Sequence, residues 1–379
     1  MLAHFAHHLL TSLPAPLLPL IRNNFALDYT KAGLVLSVFN LSYGIGQLPA
    51  GWLADRVGPR ILITIGICGV ALAGFLVGLS QTYIMLLVFM GLMGAAGGGY
   101  HPSATPLVSA SVEPKNQGRA LGFHTIGGGG SFFLAPLLAA AIATAWGWRG
   151  SFIGLAIPTA AFGIIFYVLI GRRADTSKPQ QEITARHDKI PSPPGRVRRL
   201  VVFMVLSTFT QAMLNSLIAF IPLFMVDNFG IGEEAAAALL SIIYSAGLWA
   251  GPLGGYLSDR WGKIPVILVT CLITGPVIYL LNLLPYGAGF GALLLMIGIV
   301  LYVRMPVSEA YIVNHTSARR RSTILGIYYF SSMEAGGVLV PIMGSIIDRF
   351  GFYYNFTLTS IVMVAVTLIC SVFLWGSRD

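Results

Sequence analysis

Several ionisable side chains lie within long apolar runs of the sequence, where a charge is costly, and the first five considered are His101, His124, Arg304, Glu309 and Glu334. Glu334 lies about halfway along its run, and a carboxyl in such a setting can bind and release a proton reversibly. The alternative for Glu334 is a structural carboxyl paired with an Arg or a Tyr. Glu309 lies nearer the end of its own run and is the second candidate proton carrier.

Arg304 admits two interpretations. Its planar guanidinium matches a carboxylate or a phosphonate in a two-pronged geometry, so it can grip an anionic ligand. Alternatively, it can pair with Glu334, because at about 1.5 Å per helical residue the two differ in depth by roughly 7 Å, which an Arg side chain can bridge. The sequence leaves both interpretations open.

Histidines form a second group of candidates. His101 and His124 could carry protons or bond a ligand, although a single His in an apolar helix is more often a packing residue. His4, His7 and His8 share one helix face, which is a metal-ligand arrangement in principle. No Cys or acid nearby in the sequence completes such a set. We therefore expect no metal there and place His8 in a central cavity instead.

Uncharged polar side chains in several apolar runs could also line a cavity. Some share a helix face through their spacing, and two are adjacent aromatic residues. The alternative for each is an ordinary hydrogen bond between helices. These cavity candidates are Asn40, Tyr43, Gln47, Gln211, Asn215, Tyr328 and Tyr329.

Composition indicates that lipid surrounds these side chains. Only 10% of the 379 residues are charged, against about 25% in ordinary globular proteins, and 56% are hydrophobic. This excludes a cytosolic enzyme, a secreted disulfide scaffold and a disordered protein. The net charge of +9 does not indicate nucleic-acid binding, because the basic residues lie between apolar runs rather than along one face. The three cysteines lie within apolar runs and have no metal-ligand spacing.

Twelve runs are long enough to cross a bilayer as helices, which takes about 20 mostly apolar residues. The first has no basic region or cleavage site of a signal peptide, so we expect it to be retained. A polar, proline-containing linker at 171–198 separates a bundle at 1–170 from a bundle at 199–379. The runs are 2–21, 33–54, 60–80, 83–108, 120–144, 149–170, 199–227, 234–258, 264–284, 288–312, 321–345 and 353–376.

Basic residues predict the orientation of these spans. If both termini and the linker share one side of the membrane, most of the 23 Lys and Arg residues lie on that side. Since positive loops remain in the cytoplasm, both termini and the linker are predicted to be cytoplasmic. The chain is then a multi-pass protein of the plasma (inner) membrane.

The sequence contains an internal repeat. Residues 51–58, GWLADRVG, match residues 255–262, GYLSDRWG, and the same register aligns Pro102 with Pro306. The repeat covers most of each half and keeps the same orientation. Parallel six-span repeats are typical of transporters whose ligand site lies between two moving bundles.

This doubled loop motif is similar to the signature of the major facilitator superfamily. The resemblance covers the whole chain and implies an all-α membrane protein with twelve transmembrane helices in two pseudo-symmetric six-helix bundles. It also implies transport by alternating access and a cytoplasmic gate built around the two loops. The implied gate residues are Gly51, Asp55, Arg56, Gly58, Arg60, Glu113, Asp259 and Arg260.

Within that superfamily, His101-Pro102 and the glycine run at 127–130 resemble exporters of the fosmidomycin-resistance type. The resemblance implies proton-coupled export, and a cationic cavity residue would favour a small organic anion as substrate. Proton-coupled uptake of such an anion and multidrug/proton antiport of lipophilic cations remain alternatives. Small residues that let spans pack closely explain the glycine run better than a phosphate-binding loop does.

No Walker sequence and no concentrated catalytic set occur in the chain, so ATP drive and enzyme activity are not expected. The expected partners are a small-molecule substrate, protons and the lipid bilayer. No cofactor and no nucleic acid are expected, and the predicted oligomeric state is a monomer.

Overall fold

The computed structural model describes residues 1–113, 117–174 and 195–374. Every regular element within these ranges is helical, which confirms the all-α class. The helices are α1 Leu2–Thr11, α2 Leu18–Phe25, α3 Tyr29–Val57, α4 Pro59–Thr64, α5 Val70–Leu79, α6 Tyr83–Gly98, α7 Tyr100–Ala110, α8 Gln117–Ala174, α9 Arg196–Phe229, α10 Glu233–Ser245, α11 Ala250–Trp261, α12 Lys263–Leu280, α13 Ala288–His315 and α14 Ala318–Leu374. A π-helical turn, Ile65–Gly69, joins α4 to α5.

Within the described ranges, seven helices are long and apolar enough to cross a membrane, or eight if the bent pair α10–α11 is one span. Two of the seven, Phe123–Gly171 and Ile324–Leu374, have 49 and 51 residues, about twice the length of one crossing. Each is kinked at a glycine with positive φ, Gly147 or Gly351, between two predicted spans. The first two predicted spans correspond to α1–α2 and to α3.

The first predicted span is broken rather than continuous. Regular α-helix stops at Thr11 and resumes at Leu18, and Pro14 and Pro16 lie in the interval. A proline inside a helix removes a backbone donor and clashes with the preceding turn. The break places the histidines of α1 on a short helix of their own.

The repeat seen in the sequence is also a repeat of backbone geometry. Gly58 and Gly262, 204 residues apart, both have a φ near +85°, at 85° and 89°. That conformation is readily available to glycine and provides the tight turn between α3 and α4 and between α11 and α12. Gly147 and Gly351, the same distance apart, share φ values of 67° and 78°.

The described contacts divide the chain into two compact units. Unit 1 contains Met1–Gln181, Ile218–Ser241 and Val340–Gly344, and unit 2 contains Glu182–Leu217, Ile242–Leu339 and Ser345–Asp379. Both bury apolar cores, with Tyr100 and Ile67 in unit 1 and Phe203 and Tyr311 in unit 2. The division into bundles at 1–170 and 199–379 remains a proposal, and most of the linker at 171–198 lies outside the described residues.

Many large apolar side chains face outward. Leu72, Ile84 and Ile361 are each more than 60% exposed, and other apolar residues on long helices share this exposure. In water such a surface would associate, whereas in a bilayer it contacts lipid. The exposed apolar surface therefore agrees with the membrane setting that composition indicates.

Gly94 is required for the close approach of α6 to α3. A Cβ at this position would lie 3.0 Å from the Ser42 Cβ and the Tyr43 backbone nitrogen, and closer still to the Phe39 carbonyl. Gly94→Val should therefore lower the free energy of unfolding by about 3 kcal/mol, the upper end of overpacking costs, in a thermal unfolding experiment in detergent. The matched control is Gly154→Val, because a Cβ there meets no atom within 4 Å. Equal losses in the two variants would contradict the packing argument.

Candidate functional site

Arg304 of α13 is fully buried inside unit 2. One terminal nitrogen donates to the Ser207 carbonyl at 2.9 Å, to the Ser207 hydroxyl at 2.6 Å and to the Tyr328 hydroxyl at 3.3 Å. The other terminal nitrogen donates to the side-chain carbonyl of Gln211. These four residues, Arg304, Ser207, Gln211 and Tyr328, are called the arginine cluster below. Acceptors on α9 and α14 therefore hold this guanidinium of α13 in one orientation.

No carboxylate in the described part of the chain lies within 4 Å of this guanidinium. Its Nε is buried and has no hydrogen-bond partner among the described residues. Glu309 lies close enough to interact electrostatically with Arg304, and its carboxylate accepts a hydrogen bond from the Tyr329 hydroxyl. Ion-pair contact between Arg304 and Glu334, one of the two interpretations of the sequence, is therefore absent from the described residues.

Glu334 lies on α14 and is partly exposed, but its Oε1 is buried. That oxygen has no hydrogen-bond partner in the described ranges. An unpartnered buried carboxylate oxygen is expensive, and most such oxygens in proteins have a donor. Among the described residues, Glu309 has a donor, Tyr329, whereas Oε1 of Glu334 has none.

Polar side chains on α9 extend the arginine cluster by one helical turn. Gln211 donates from its amide nitrogen to the Asn215 side-chain oxygen at 2.8 Å. The carbonyl of the same Gln211 side chain accepts from Arg304, which fixes the amide orientation. Four of the predicted cavity residues, Arg304, Gln211, Asn215 and Tyr328, are thus connected in unit 2.

Histidines form a second polar cluster, inside unit 1. The members are His4, His7, His8, His101 and His124, called the histidine cluster below, and they come from α1, α7 and α8. His4, His7, His8 and His124 are each at most 9% exposed. The three histidines of α1 are therefore in the interior of the unit, and two histidines distant in sequence join them.

Hydrogen bonds define how the rings of α1 are oriented. His4 Nδ1 lies 2.7 Å from the His124 carbonyl oxygen, and His7 Nδ1 lies 2.8 Å from the Gly66 carbonyl oxygen. Since a carbonyl only accepts, both Nδ1 atoms are protonated donors. His7 Nε2 then accepts from the Tyr43 hydroxyl at 3.1 Å. His8 Nε2 faces His101 Nε2 at 3.2 Å.

Ring stacking reinforces this arrangement. The rings of His4 and His124 stack with centroids 4.2 Å apart and planes 7° apart. The rings of His7 and Tyr100 stack at 4.3 Å and 9°. Glycines allow this approach, because a Cβ at Gly128 would lie 2.6 Å from His4 Cε1. The close packing that the sequence predicts for the glycine run is confirmed at Gly128.

The two clusters occupy repeat-related positions. Shifting Tyr100 by the repeat distance of 204 residues gives Arg304. The same shift takes His7 to Gln211 and His124 to Tyr328. Each repeat therefore builds a buried polar cluster from the same three helix positions, and among the described residues the arginine cluster is the one with a fixed charge.

The alignment of the two repeats also identifies two of the three cluster residues that the sequence-based prediction does not include. His7, Tyr100 and Ser207 are members or direct neighbours of the clusters, yet the sequence alone does not single them out as cavity residues. His7 and Tyr100 follow from the repeat register once Gln211 and Arg304 are recognised. Ser207 has no such signal, because Ala3 occupies the equivalent position.

The remaining cavity candidates have different surroundings. Tyr43 of α3 is buried and bonded to His7. Asn40 and Gln47, on the same helix, are partly exposed. Tyr329 is bonded to Glu309 and belongs to unit 2. On the face that the sequence predicts on α3, Tyr43 therefore contacts the histidine cluster directly.

Comparison with known proteins identifies the family. The model of the Major Facilitator Superfamily matches residues 1–303 and 203–379, which together cover the chain. The chain belongs to the Major Facilitator Superfamily. The resemblance inferred from the doubled loop motif is confirmed, and with it the transporter class. The prediction that the chain is a transporter and not an enzyme agrees with this family.

Individual relatives in this superfamily are distant. The chain is 24% identical over 369 residues to the probable L-galactonate transporter of Escherichia coli strain K12, covering 92% of this chain and 81% of the relative. It is also 24% identical over 375 residues to the multidrug resistance protein MdtG of Escherichia coli O6:K15:H31, covering 97% and 90%.

Solved structures show the same fold. A bacterial homolog of the human lysosomal transporter Spinster, in an inward-facing and occupied conformation, matches with a TM-score of 0.78 at 18% identity, covering 99% of this chain and 95% of that chain. A POT family transporter in complex with 5-aminolevulinic acid matches with a TM-score of 0.82 at 14% identity, covering 98% and 94%. At these identities the likeness supports the superfamily fold alone.

The loop residues that the superfamily resemblance assigns to a gate lie where α3 meets α4 and where α11 meets α12, except Glu113, which follows α7. Arg56 lies over the Trp52 ring at 4.0 Å, and Arg60 donates to the Tyr167 carbonyl at 2.6 and 2.9 Å. Arg260 donates to the Tyr256 hydroxyl at 3.4 Å. Asp259 and Glu113 are exposed. The Asp55 side chain and the environment of Gly51 lie outside the part of the chain that the structure describes.

Unit 1 also contains polar contacts near the first inter-span loop, which the sequence does not predict. Arg22 of α2 and Tyr29 of α3 both donate to the Asp227 carboxylate of α9. Asn23 donates to Glu233 of α10. Burial, followed by the bond to Asp227, raises the pKa of the Tyr29 phenol, so Tyr29 remains a neutral donor at physiological pH. Arg22, Asn23, Tyr29, Asp227 and Glu233 are called the outer contacts below.

Asp227→Asn tests the outer contacts, because Asp227 accepts from two donors whose side chains lie some 200 residues away in sequence. We expect a decrease of about 1 kcal/mol in the free energy of unfolding, measured thermally in detergent at low salt and smaller at high salt. Lys31→Gln is the matched control. Its ion pair with Asp28 is about half exposed and local, so its removal should have no measurable effect. A salt-independent loss at Asp227 would contradict the electrostatic explanation.

Proposed function

We propose that this protein is a proton-coupled exporter of a small organic anion, operating by alternating access. The observation that carries the proposal is the arginine cluster. A fully buried guanidinium without a contacting carboxylate is a costly arrangement, because a charge leaves water without a counter-ion. A transported anion would supply that counter-ion.

The geometry suits an anion with a planar acid group. The Ser207, Gln211 and Tyr328 bonds fix the plane of the guanidinium, and the buried Nε retains an unused donor. An oriented Arg binds carboxylate and phosphonate groups through two parallel hydrogen bonds. A cation, in contrast, would face the positive charge of Arg304, which has no described carboxylate within 4 Å.

The relatives support this substrate class to different degrees. The name of one relative refers to L-galactonate, which is an organic anion. The other is a multidrug resistance protein, and its name, together with the likeness to fosmidomycin-resistance-type exporters, favours export over uptake. Multidrug/proton antiport and anion uptake are therefore the rival functions that an experiment must separate.

Protons are the proposed driving ion, with Glu334 as the main carrier and Glu309 as the second. Glu334 has a buried oxygen without a donor in the described ranges. Protonation would remove the cost of a desolvated negative charge, and deprotonation would restore it. Such a carboxyl can therefore couple its occupancy by a proton to a change of conformation.

Alternating access needs contacts that form in one state and break in another. We propose that the outer contacts close the side of unit 1 near the first inter-span loop. The loops that contain Arg56 and Arg260 are proposed as the gate at the cytoplasmic side. The protein is proposed to function as a monomer in the inner membrane with both termini in the cytoplasm. His8, His101 and His124 are proposed as secondary polar residues of the transport path.

Ligand-induced thermal stabilisation of the detergent-purified protein tests the substrate class. A ligand that binds only the folded state raises the melting temperature by mass action. The panel contains L-galactonate, small phosphonates, neutral sugars and tetraphenylphosphonium. We expect stabilisation by acids and none by the lipophilic cation. Stabilisation by tetraphenylphosphonium alone would contradict the anion proposal and favour multidrug antiport.

Flux then tests direction and coupling. Proteoliposomes loaded with the stabilising anion should release it faster when the outside is acidic than when both sides have the same pH. Uptake driven by an inward proton gradient would instead identify a symporter. Protein-free liposomes loaded with the same anion provide the background rate.

A further inference from the structure

Three imidazoles of the histidine cluster are arranged as metal ligands. His4 and His8 of α1 and His101 of α7 each contribute one ring nitrogen, and these nitrogens all lie within 4.8 Å of one another. His8 Nε2 and His101 Nε2 are 3.2 Å apart. Two ligands of one tetrahedral first-row metal, each about 2.0–2.1 Å from the ion, are separated by roughly 3.3 Å. The pair already has that separation.

The hydrogen bonds leave Nε2 of His4 and of His8 available, whereas His101 Nε2 donates to His8 Nε2 and must release its proton, or shift it to Nδ1, when a metal binds. His4 Nδ1 donates to the His124 carbonyl, so the proton is on Nδ1 and the lone pair is on Nε2. His4 Nε2 is buried and has no partner among the described residues. Thr11 directs its hydroxyl at backbone carbonyls, so His8 Nδ1 is the donor of the 3.1 Å contact with Thr11 and His8 Nε2 carries the lone pair.

For His4 and His8 this pattern is the usual outer shell of a metal-bound histidine. One ring nitrogen donates to a protein acceptor, which fixes the tautomer and aims the other nitrogen at the metal. His7, in contrast, has both nitrogens engaged, by Gly66 and Tyr43, and is not available as a ligand. Sequence spacing finds only the α1 histidines, whereas the fold adds His101 from a helix more than 90 residues away.

We propose that His4, His8 and His101 bind a divalent first-row transition metal through their Nε2 atoms, with one coordination position open. Imidazole donors suit Zn²⁺, Ni²⁺, Co²⁺ and Cu²⁺ and not Mg²⁺, which prefers oxygen. The site lies wholly within unit 1 and joins α1 to α7. It shares no residue with the arginine cluster, whereas His8 and His101 are also proposed for the transport path, so its test measures metal binding with no anion present.

Isothermal titration of the full-length detergent-purified protein, carrying no His tag, tests the site with Zn²⁺, Co²⁺ and Mg²⁺ and no anion present. We expect one Zn²⁺ per chain and no Mg²⁺ binding. Because loss of an outer-shell partner already costs 10–100-fold in affinity, His8→Gln and His101→Gln should each weaken Zn²⁺ binding by about 100-fold or more. His315→Gln, on α13 in unit 2, is the matched control and should bind as the wild type does.

Gly128→Ala provides a second variant that retains every ligand. Its Cβ would lie 2.6 Å from His4 Cε1 and 2.9 Å from His4 Nε2, which displaces the imidazole, whereas Gly154→Ala meets nothing within 4 Å. We expect weaker Zn²⁺ binding in the first variant only, and a Co²⁺ absorption spectrum of a four-coordinate nitrogen site in the wild type. Wild-type affinity in both His8→Gln and His101→Gln, or equal binding of Mg²⁺, would overturn the proposal. Arg304→Ala should leave Zn²⁺ binding unchanged, which separates this result from the fate of the transport proposal.

Discussion

Arg304→Ala is expected to eliminate stabilisation by anions and to reduce anion flux to the background of protein-free liposomes. The guanidinium is the only described charge at the centre of the arginine cluster. Removing one partner of a buried charge pair costs about 3–5 kcal/mol, and each 1.4 kcal/mol is a factor of ten in affinity. The dissociation constant for the anion should therefore rise by about 100-fold or more, as measured by titration or by the concentration dependence of the melting temperature.

Two further variants separate substrate binding from a purely structural role. Arg304→Lys keeps the charge and loses the planar fork, so we expect about a tenfold loss of affinity. Arg304→Met keeps much of the volume and removes the charge. Without ligand its melting temperature should equal or exceed that of the wild type, because an uncompensated buried charge has been removed.

The control for these measurements is Arg198→Ala. Arg198 is exposed at the start of α9, and its guanidinium lies 5.8 Å from the Phe373 ring centre. The variant removes one positive charge from unit 2 without affecting the cluster, so anion affinity should remain within about twofold of the wild type. Arg304 would be a structural residue if Arg304→Met lowers the melting temperature as strongly as a large-to-small substitution in the core does, and if Arg304→Ala still binds the anion.

Sequence patterns predict the spans well because burial in lipid depends on local composition. The kinks at Gly147 and Gly351 and the turns at Gly58 and Gly262 all lie between predicted runs. The first span is the exception, since prolines separate α1 from α2 although the hydropathy continues.

The clusters were harder to predict because they depend on contacts between distant parts of the chain. Residue type indicates Arg304 and the histidines, but not that Arg304 bonds Ser207 rather than Glu334, nor that His101 meets His8. The outer contacts join residues about 205 positions apart, such as Arg22 and Asp227, and their types are ordinary for loops. Only the repeat register, which relates Tyr100 to Arg304, carries long-range information in a single sequence.

Glu334→Gln is expected to uncouple transport from the proton gradient while leaving anion exchange intact. A glutamine resembles a permanently protonated carboxyl in shape and hydrogen-bonding capacity, and it cannot release a proton. Efflux stimulated by an acidic exterior should fall by at least about tenfold, to the rate without a gradient. Exchange of labelled for unlabelled anion at equal pH should stay within about threefold of the wild type, because exchange requires no net proton movement.

Glu309→Gln is the informative comparison, because the two acids differ in their surroundings and not in their chemistry. Glu309 accepts from Tyr329 and lies in the field of Arg304, whereas Glu334 Oε1 has no donor among the described residues. Glu309→Gln should therefore alter anion affinity through Arg304 and preserve gradient-stimulated efflux. If Glu309→Gln abolishes that stimulation and Glu334→Gln does not, the proton is carried next to the arginine. Substrate and proton would then compete near Arg304 instead of communicating through a change of conformation.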